Sequence, residues 1–326
     1  VNDNEPTNPD VQWNNGHFMH QFTYFIGEVN FYYQSLNGEK KVAIMNTGDS
    51  MYITPFTPHT FTSRKGAKEN GLILALTYGG KLTGDVQQEL SGLSVELGSN
   101  FALDFSSKEN ASASLIKYHR EISNLSMDEL SKRTTISLNE LNNFENGIKL
   151  PSFSDLENIA KSLTINVRDL LPNDKIEDKV IVKHHEEGKK WFYPESIKNY
   201  EFCELASTTA LPFSKAFEIK VMNSENHNFD LESGVHQYVY NVGNTPIKIS
   251  WKSDGKNYDE IINSDDSLYL KPFVKHSFAG NGKLLVLRIG GKISGDSQRE
   301  LSIVGKKNAS RAISETMQWF DPKGKN

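Results

Sequence analysis

Hydrophobic and aromatic residues near the start of the chain occur in short runs separated by turn residues. Between Trp13 and Tyr78 these runs predict the strands Gln21–Tyr33, Lys41–Met45, Ser50–Thr54 and Leu72–Tyr78. Asn37-Gly38, Gly48-Asp49 and a proline-rich segment from Pro55 lie between them, and such residues favour turns. Short strands at this spacing indicate a β-sandwich or a closed barrel.

The pattern changes to a helical spacing between residues 112 and 171. Apolar residues recur there at intervals of three and four, which is typical of helices that pack on one face. Ser126 with Glu129, and Ser137 with Glu140, form the capping-box pattern that marks the start of a helix. The segment resembles the helix-turn-helix domain of phage repressors, so it predicts a separate helical domain.

The strand pattern returns after about Val180 and predicts the strands Phe217–Met222, His236–Val242, Ile247–Trp251, Ser267–Leu270 and Leu284–Ile289. This region repeats the first one. GGKLTGDVQQELS at 79–91 corresponds to GGKISGDSQRELS at 290–302. Three earlier motifs match in the same order, HQFTYFIGE with HQYVYNVGN, PFTPHTF with PFVKHSF, and LILALTY with LLVLRI. Four matches in one order indicate a duplication.

The predicted fold is therefore mainly β with an α insert. Two domains that resemble cupins, which are jelly-roll barrels, are separated by the helix-turn-helix domain. We place these domains at 1–108, 109–175 and 176–326. Far more of the chain precedes His236 in the second copy than precedes His20 in the first, and a barrel needs its opening strands to close. We expect the first domain to lack its N-terminal part, which could carry functional groups.

Composition limits the classes of function. The 326 residues carry a formal net charge of −5, which disfavours non-specific binding to nucleic acids or acidic membranes. Cys203 is the single cysteine, which excludes an intramolecular disulfide and favours a reducing cytoplasm. No apolar run reaches the roughly 18 residues of a membrane helix. The predicted recognition helix, Ser137–Asn146, contains no Lys or Arg, so we expect it to serve as a spacer or an oligomer contact rather than to bind DNA.

Three side chains of the first barrel form a candidate metal site. His17 and Gln21 lie four residues apart at the start of a predicted strand, where alternation puts them on one face and His20 on the other. His59 follows in a Pro-x-x-Pro-His turn that opens a later strand, an arrangement that resembles cupin metal sites. Two imidazoles and a side-chain oxygen suit Fe(II) with open positions for substrate and O₂. Because Gln21 is neutral, a dianionic substrate, such as a phosphonate, would compensate the extra positive charge of the metal.

The second copy lacks one of these ligands. Alignment on the shared motifs places Ser233, Gln237 and His276 at the positions of the three candidate ligands. A serine stands where the first copy has an imidazole. We therefore predict that the second barrel is degenerate and structural.

A cupin joined to a repressor-like domain and followed by a second cupin resembles the family of 2-hydroxyethylphosphonate dioxygenase, hydroxypropylphosphonate epoxidase and methylphosphonate synthase. The resemblance spans essentially the whole chain. The dioxygenase has a glutamate ligand six residues before the second histidine, where this chain has Ile53. The epoxidase has a glutamate four residues after the first histidine, where this chain has Gln21. The His-x-x-x-Gln…His pattern is similar to the methylphosphonate synthase branch.

The resemblance implies an oxidoreductase with mononuclear non-heme Fe(II), which uses O₂ to cleave the C–C bond of 2-hydroxyethylphosphonate. The implied products are methylphosphonate and CO₂ or bicarbonate, with no catalytic residue beyond the metal site. Asn14 matches the family's asparagine three residues before the first histidine, which hydrogen-bonds the substrate. Further candidates for phosphonate contact are Tyr24, Tyr52, Thr62 and Arg64.

Other functions stay open. Within the same family, a dioxygenase would give hydroxymethylphosphonate and formate. A cupin fused to a helix-turn-helix is also a common layout of ligand-sensing transcription regulators, and a non-redox metallo-isomerase could use the same barrel. As partners we expect a small phosphonate, O₂ and further copies of the chain in a cytoplasmic homo-oligomer, with no nucleic acid and no membrane.

Overall fold

The computed structural model describes residues 3–4, 11–13, 16–80, 82–172 and 179–320. The chain forms two compact units. One combines Val1–Lys81 with Lys179–Asn326 and contains both β regions, and the other is Leu82–Asp178 and contains the central helices. The boundaries at 1–108, 109–175 and 176–326 stay a prediction.

The described part of the first β region contains the strands β1 (Asp3–Asn4), β2 (His20–Ile26), β3 (Val29–Gln34), β4 (Lys40–Met45), β5 (Ser50–Ile53), β6 (His59–Arg64) and β7 (Leu72–Tyr78). The predicted long strand Gln21–Tyr33 is interrupted at Gly27, whose φ of 73° reverses the chain. A Cβ there would lie 2.6 Å from the carbonyl oxygen of Asn70, so the turn requires glycine. As a result β2 and β3 belong to different sheets.

The helical unit contains α1 (Asp85–Ser91), α2 (Val95–Ser99), α3 (Lys108–Ile122), α4 (Met127–Thr134), α5 (Leu138–Glu145) and α6 (Phe153–Leu163), followed by a 3₁₀ turn at Val167–Leu170. Ser126 and Ser137 are N-caps, as predicted, and each side chain accepts a hydrogen bond from the backbone N–H of the residue three positions later. Apolar side chains of α3 to α6 meet in one core around Leu141 and Phe144. The predicted recognition helix corresponds to α5.

The second β region begins within the sheet of the first. Strand β8 (Val180–Lys183) pairs antiparallel with β5, and Val180 lies opposite Ile53. The chain then continues through β9 (Lys190–Tyr193), β10 (Tyr200–Glu204), β11 (Ser214–Val221), β12 (His236–Asn241), β13 (Ile247–Ser253), β14 (Lys256–Ile262), β15 (Ser267–Leu270), β16 (His276–Gly280) and β17 (Gly282–Ile289). Helices α7 (Asp296–Ile303) and α8 (Lys306–Phe320) follow.

Each β region is built from two sheets that face one another. The orders are β1-β6-β3-β4 with β7-β2-β5-β8 in the first region, and β15-β12-β17-β11-β10-β9 with β14-β13-β16 in the second. The first interior contains Phe25, Phe31 and Met51, and the second contains Val239, Phe278 and Val286. Full burial of such a side chain contributes about 1.5–3 kcal/mol to folding. The predicted pair of barrels with a helical insert is confirmed.

The duplication is visible in the backbone. The amide of Phe56 donates to the carbonyl of His17 over 2.8 Å, and the amide of Phe273 donates to the carbonyl of Ser233 over the same distance. Both phenylalanines have a positive φ, 58° and 62°. Ser233 therefore occupies the structural position of His17. Among the described residues, no helix is long and apolar enough to cross a membrane.

Candidate metal centre

The three candidate ligands lie at the N-terminal ends of two strands. His17 and Gln21 flank the start of β2, and His59 is the first residue of β6. The backbone hydrogen bond from the amide of Phe56 to the carbonyl of His17 connects the segments that precede these two strands. The ring centroids of His17 and His59 are 5.3 Å apart, and Nε2 of His17 lies 2.7 Å from Oε1 of Gln21. The convergence of His17, Gln21 and His59 is what a shared metal ion requires.

Hydrogen bonds fix which ring nitrogen of each histidine carries the proton. Nδ1 of His17 donates to the carbonyl of Met19 at 2.7 Å, and Nδ1 of His59 donates to the carbonyl of Thr57 at 2.9 Å. A carbonyl oxygen only accepts, so each Nδ1 carries the hydrogen and each Nε2 presents a lone pair. Such orientation by a backbone carbonyl is the usual support of a metal-binding histidine.

Gln21 is oriented in the same way. Its Nε2 donates to Oγ1 of Thr23 at 2.9 Å, which leaves Oε1 directed at His17. In neutral His17, two lone pairs would therefore face each other over 2.7 Å, which is repulsive unless a cation lies against both. The donor set fits a metal ion bound by Oε1 and by the two Nε2 atoms, and Gln21, His17 and His59 are the residues that would hold it.

Burial favours the neutral, metal-binding form of His59. His59 is 1% exposed and Gln21 is 5% exposed. Burial lowers the pKa of His59, the nearby His17 lowers it further, and the hydrogen bond to Thr57 opposes both effects. The ring of His59 also contacts those of Phe31 and Phe61, with centroids 6.5 Å and 5.7 Å away. A neutral imidazole in an apolar wall is the form that binds a metal.

Among the side chains that the structure describes, no carboxylate completes this cluster. Within the described part of the chain, no group of three His, Cys, Asp or Glu side chains is placed to hold a metal. Ile53 lies directly opposite Gln21 across β5 and β2, and it is fully buried. A divalent ion here would keep its charge of +2, because all three ligands are neutral.

The predicted phosphonate contacts lie elsewhere in the first barrel. Tyr24 and Tyr52 point to the opposite face of their sheet from Gln21, into a core shared with the second β region. Tyr24 donates to Oε2 of Glu218 at 2.6 Å. The structure does not bring Tyr24 or Tyr52 to the metal ligands, because strand alternation turns them away.

Thr62 and Arg64 are also not part of the cluster. Oγ1 of Thr62 accepts a hydrogen bond from Asn30 at 3.1 Å, on the face of β6 opposite to His59. Arg64 lies at the far end of β6, about 17 Å along the strand from His59. It donates to Glu28 and to the carbonyl of Met45. Asn14 lies outside the described residues.

Sequence reasoning missed the residues that hold the ligands in place. Thr23 orients Gln21, and the carbonyl of Thr57 orients His59. Tyr33 lies opposite His59 in the register of β3 and β6. Thr23 could have been found from the alternation of β2, which puts it on the face of Gln21, but a backbone carbonyl leaves no signal in a sequence.

Comparisons with known proteins agree with this fold. A helix-turn-helix family model matches residues 116–170. Methylphosphonate synthase of Nitrosopumilus maritimus is 65% identical over all 326 residues, which is 71% of that protein. The structure of Streptomyces albus HEPD with 2-hydroxyethylphosphonate and Fe(II) bound is 32% identical, with a TM-score of 0.85, over 96% of this chain and 70% of that one.

A more distant structure shares the fold. PhpD with cadmium and hydroethylphosphonate is 18% identical, with a TM-score of 0.72, over 92% of this chain and 71% of that one. At this identity the likeness concerns the fold alone. Both solved structures hold a metal ion together with a small phosphonate.

Proposed function

The chain belongs to the methylphosphonate synthase family, and we propose on this premise that it uses Fe(II) and O₂ to convert 2-hydroxyethylphosphonate to methylphosphonate and CO₂ or bicarbonate. Membership in an enzyme family confirms the prediction of an enzyme. The observation that supports the proposal is the 2.7 Å approach of Oε1 of Gln21 to Nε2 of His17, which a cation bound to both atoms would stabilise. A carboxylate-free ligand set agrees with the Gln-containing pattern of the proposed branch.

The reaction balances without an added reductant. One 2-hydroxyethylphosphonate and one O₂ give one methylphosphonate, one CO₂ and one water. The substrate supplies all four electrons that reduce O₂, since its hydroxymethyl carbon is oxidised to CO₂ while the other carbon becomes the methyl group. Iron supplies the activation of O₂ and a positive centre for the substrate oxygens.

The chain's own residues set the charge and the surroundings of the substrate. Gln21 contributes no negative charge, so a dianionic phosphonate is attracted more strongly than it would be to a glutamate-containing site. Ile53, Phe31 and Phe61 line the interior near His59 and exclude water from it. Exclusion of water strengthens the charge attraction and protects reactive species from side reactions.

The product identifies the reaction. The chain is loaded with Fe(II) under argon, exposed to air with 2-hydroxyethylphosphonate, and followed by phosphorus NMR. We expect methylphosphonate. The alternative is suggested by the 32% identity to a hydroxyethylphosphonate dioxygenase, and hydroxymethylphosphonate with formate would replace our proposal by that reaction. No turnover in air by iron-loaded protein would contradict both. A homo-oligomer and a cytoplasmic location stay predictions.

A further inference from the structure

The second barrel retains two of the three ligand positions. Gln237 is 1% exposed and occupies the position of Gln21, and His276 is 1% exposed and occupies that of His59. Ser233 replaces the remaining histidine. Buried polar side chains are costly to retain unless something satisfies them, so their surroundings indicate what this barrel now holds.

A guanidinium group lies beside Gln237. Arg288 is opposite Gln237 in the register of β12 and β17, where the first barrel has Thr77 opposite Gln21. Nε of Arg288 donates to Oε1 of Gln237 at 2.9 Å, and the guanidinium lies 5.3 Å from the ring centroid of Phe217. The arginine thus supplies positive charge to the amide oxygen that corresponds to the metal-binding oxygen of the first barrel.

Arg288 brings a half-buried positive charge to this face of the sheet. Among the described residues, no carboxylate forms an ion pair with it, although its side chain is half-buried. Lys215 is opposite Arg288 on β11, so a second cation stands on the same face of the sheet. Burial lowers the pKa of Arg288, but a guanidinium remains protonated in proteins. Two neighbouring cations on one face of a sheet attract an anion.

Gln237 also has an unused hydrogen-bond donor. Its Nε2 is buried and has no hydrogen-bond partner among the residues that the structure describes. In the first barrel the same nitrogen of Gln21 donates to Thr23, but the second barrel has Val239 at that position, which cannot accept. A ligand oxygen would satisfy this donor.

His276 offers the opposite kind of group. Its Nδ1 donates to the carbonyl of Val274 at 2.9 Å, so Nε2 presents a lone pair. Burial lowers the pKa of His276 to about 4, which keeps the ring neutral near pH 7. Nε2 therefore accepts a hydrogen bond and cannot donate one. A ligand that suits His276 brings a hydrogen-bond donor, such as a hydroxyl group.

We propose that the second barrel binds a small oxyanion that carries a hydroxyl group, held by Arg288, Gln237 and His276. Arg288 supplies charge and donors, Nε2 of Gln237 supplies a further donor, and Nε2 of His276 accepts the hydroxyl hydrogen. Hydrogen phosphate, hydrogen phosphonates and bicarbonate have this chemistry. Sulfate at neutral pH has the charge but no hydrogen to donate. The site does not depend on the function proposed for the first barrel.

Inorganic phosphate is the probe, measured by calorimetry on the full chain after treatment with a chelator. We expect saturable binding of phosphate and at least tenfold weaker binding of sulfate. Arg288→Met should weaken phosphate binding roughly 10- to 100-fold, because it removes a charged hydrogen-bond donor. His59→Ala, which alters only the first barrel, should leave phosphate binding unchanged. Equal binding of phosphate and sulfate, or loss in His59→Ala with retention in Arg288→Met, would overturn the proposal.

Val239→Thr gives a test that keeps the barrel packed. The new hydroxyl would take the hydrogen bond of Gln237 Nε2, as Thr23 does for Gln21. We expect this variant to fold with at least the stability of the parent and to bind phosphate several-fold more weakly. Phosphate should raise the melting temperature of the parent more than that of Val239→Thr. An equal rise in both proteins, or no rise with phosphate up to about 10 mM, would contradict the site.

Discussion

At the scale of single residues, Gln21 determines the net charge of the candidate metal centre. Its amide contributes an oxygen ligand without a negative charge, and Thr23 holds that oxygen toward His17. Glutamine could be placed as a ligand from its spacing to His17 alone. The orientation by Thr23 could not, because it depends on which amide atom faces the metal.

Gln21→Glu should strengthen the binding of Fe(II) and weaken the binding of an anionic substrate. The carboxylate would bind Fe(II) more tightly and would repel the phosphonate dianion, so we expect the affinity for 2-hydroxyethylphosphonate to fall roughly 10- to 100-fold. Titration of the iron-loaded protein with substrate under argon measures this. Unchanged substrate affinity in a variant that binds iron would rule out charge compensation as the role of Gln21.

Thr23→Val should loosen the glutamine without removing it. Loss of the Oγ1 acceptor lets the amide rotate, and loss of a group that orients a ligand typically weakens metal binding about 10- to 100-fold. Metal titration by calorimetry measures the change. Thr62→Val is the matched control, since Thr62 accepts a hydrogen bond on the opposite face of its sheet from the metal ligands. An equal effect of both variants would mean that the loss reflects general destabilisation.

At the scale of elements, the two faces of strand β2 pack in two different hydrophobic cores. Gln21 and Thr23 face the interior of the first barrel, whereas Phe22 and Tyr24 pack in a core with Leu285 and other residues of the second β region. The alternation of β2 was predictable from the sequence. That the second barrel covers the outer face was not, which is why Tyr24 was predicted as a substrate contact.

Glu218 makes the packing of the two β regions depend on pH. Its Oε2 accepts a hydrogen bond from the hydroxyl of Tyr24. Its Oε1 lies 3.1 Å from Nε2 of His185 and 3.4 Å from Nζ of Lys283. Burial raises the pKa of Glu218, but the hydrogen bond from Tyr24 and the nearby positive charges outweigh burial, so the pKa lies below its usual value. A lowered pKa adds stability above the unfolded value near 4.3, and this stability is lost as the pH falls through the folded value.

Urea unfolding at pH 7 and at pH 4 tests this dependence. We expect Glu218→Gln to lower the free energy of unfolding by about 1–3 kcal/mol at pH 7 and by less at pH 4, where the unfolded chain has begun to take up a proton at this carboxyl. Glu204→Gln breaks the half-buried pair with Lys183 and should cost less than about 1 kcal/mol. A loss for Glu218→Gln that does not change with pH would show that its charge does not matter.

The whole molecule combines a duplication with an inserted helical unit, and both were predictable. Four ordered motifs identified the two copies, and capping residues such as Ser126 identified the helical insert. The return of the chain into the first sheet through β8 was not predictable, because a short apolar strand does not indicate its partner. The same limit applies to the pairing of Arg288 with Gln237, which depends on register.

The helical unit should not bind DNA. Helix α5 carries no basic residue, Glu145 pairs with Arg120 at 2.6 Å, and Glu140 pairs with Lys149 at 2.7 Å. DNA affinity depends on neutralising phosphates, and α5 offers none of the required charge. In a low-salt gel shift with a random library of DNA duplexes, we expect the protein to enrich no DNA sequence in the shifted band. Enrichment of one sequence would support a regulatory role in addition to the enzyme.

The metal position itself tests the account most directly. Crystals grown with Fe(II) and 2-hydroxyethylphosphonate under argon would be measured on both sides of the iron absorption edge. We predict one strong anomalous peak in the first barrel, about 2.1 Å from Nε2 of His17, Nε2 of His59 and Oε1 of Gln21. A peak that does not contact Gln21, or iron bound in the second barrel at Gln237 and His276, would contradict the account.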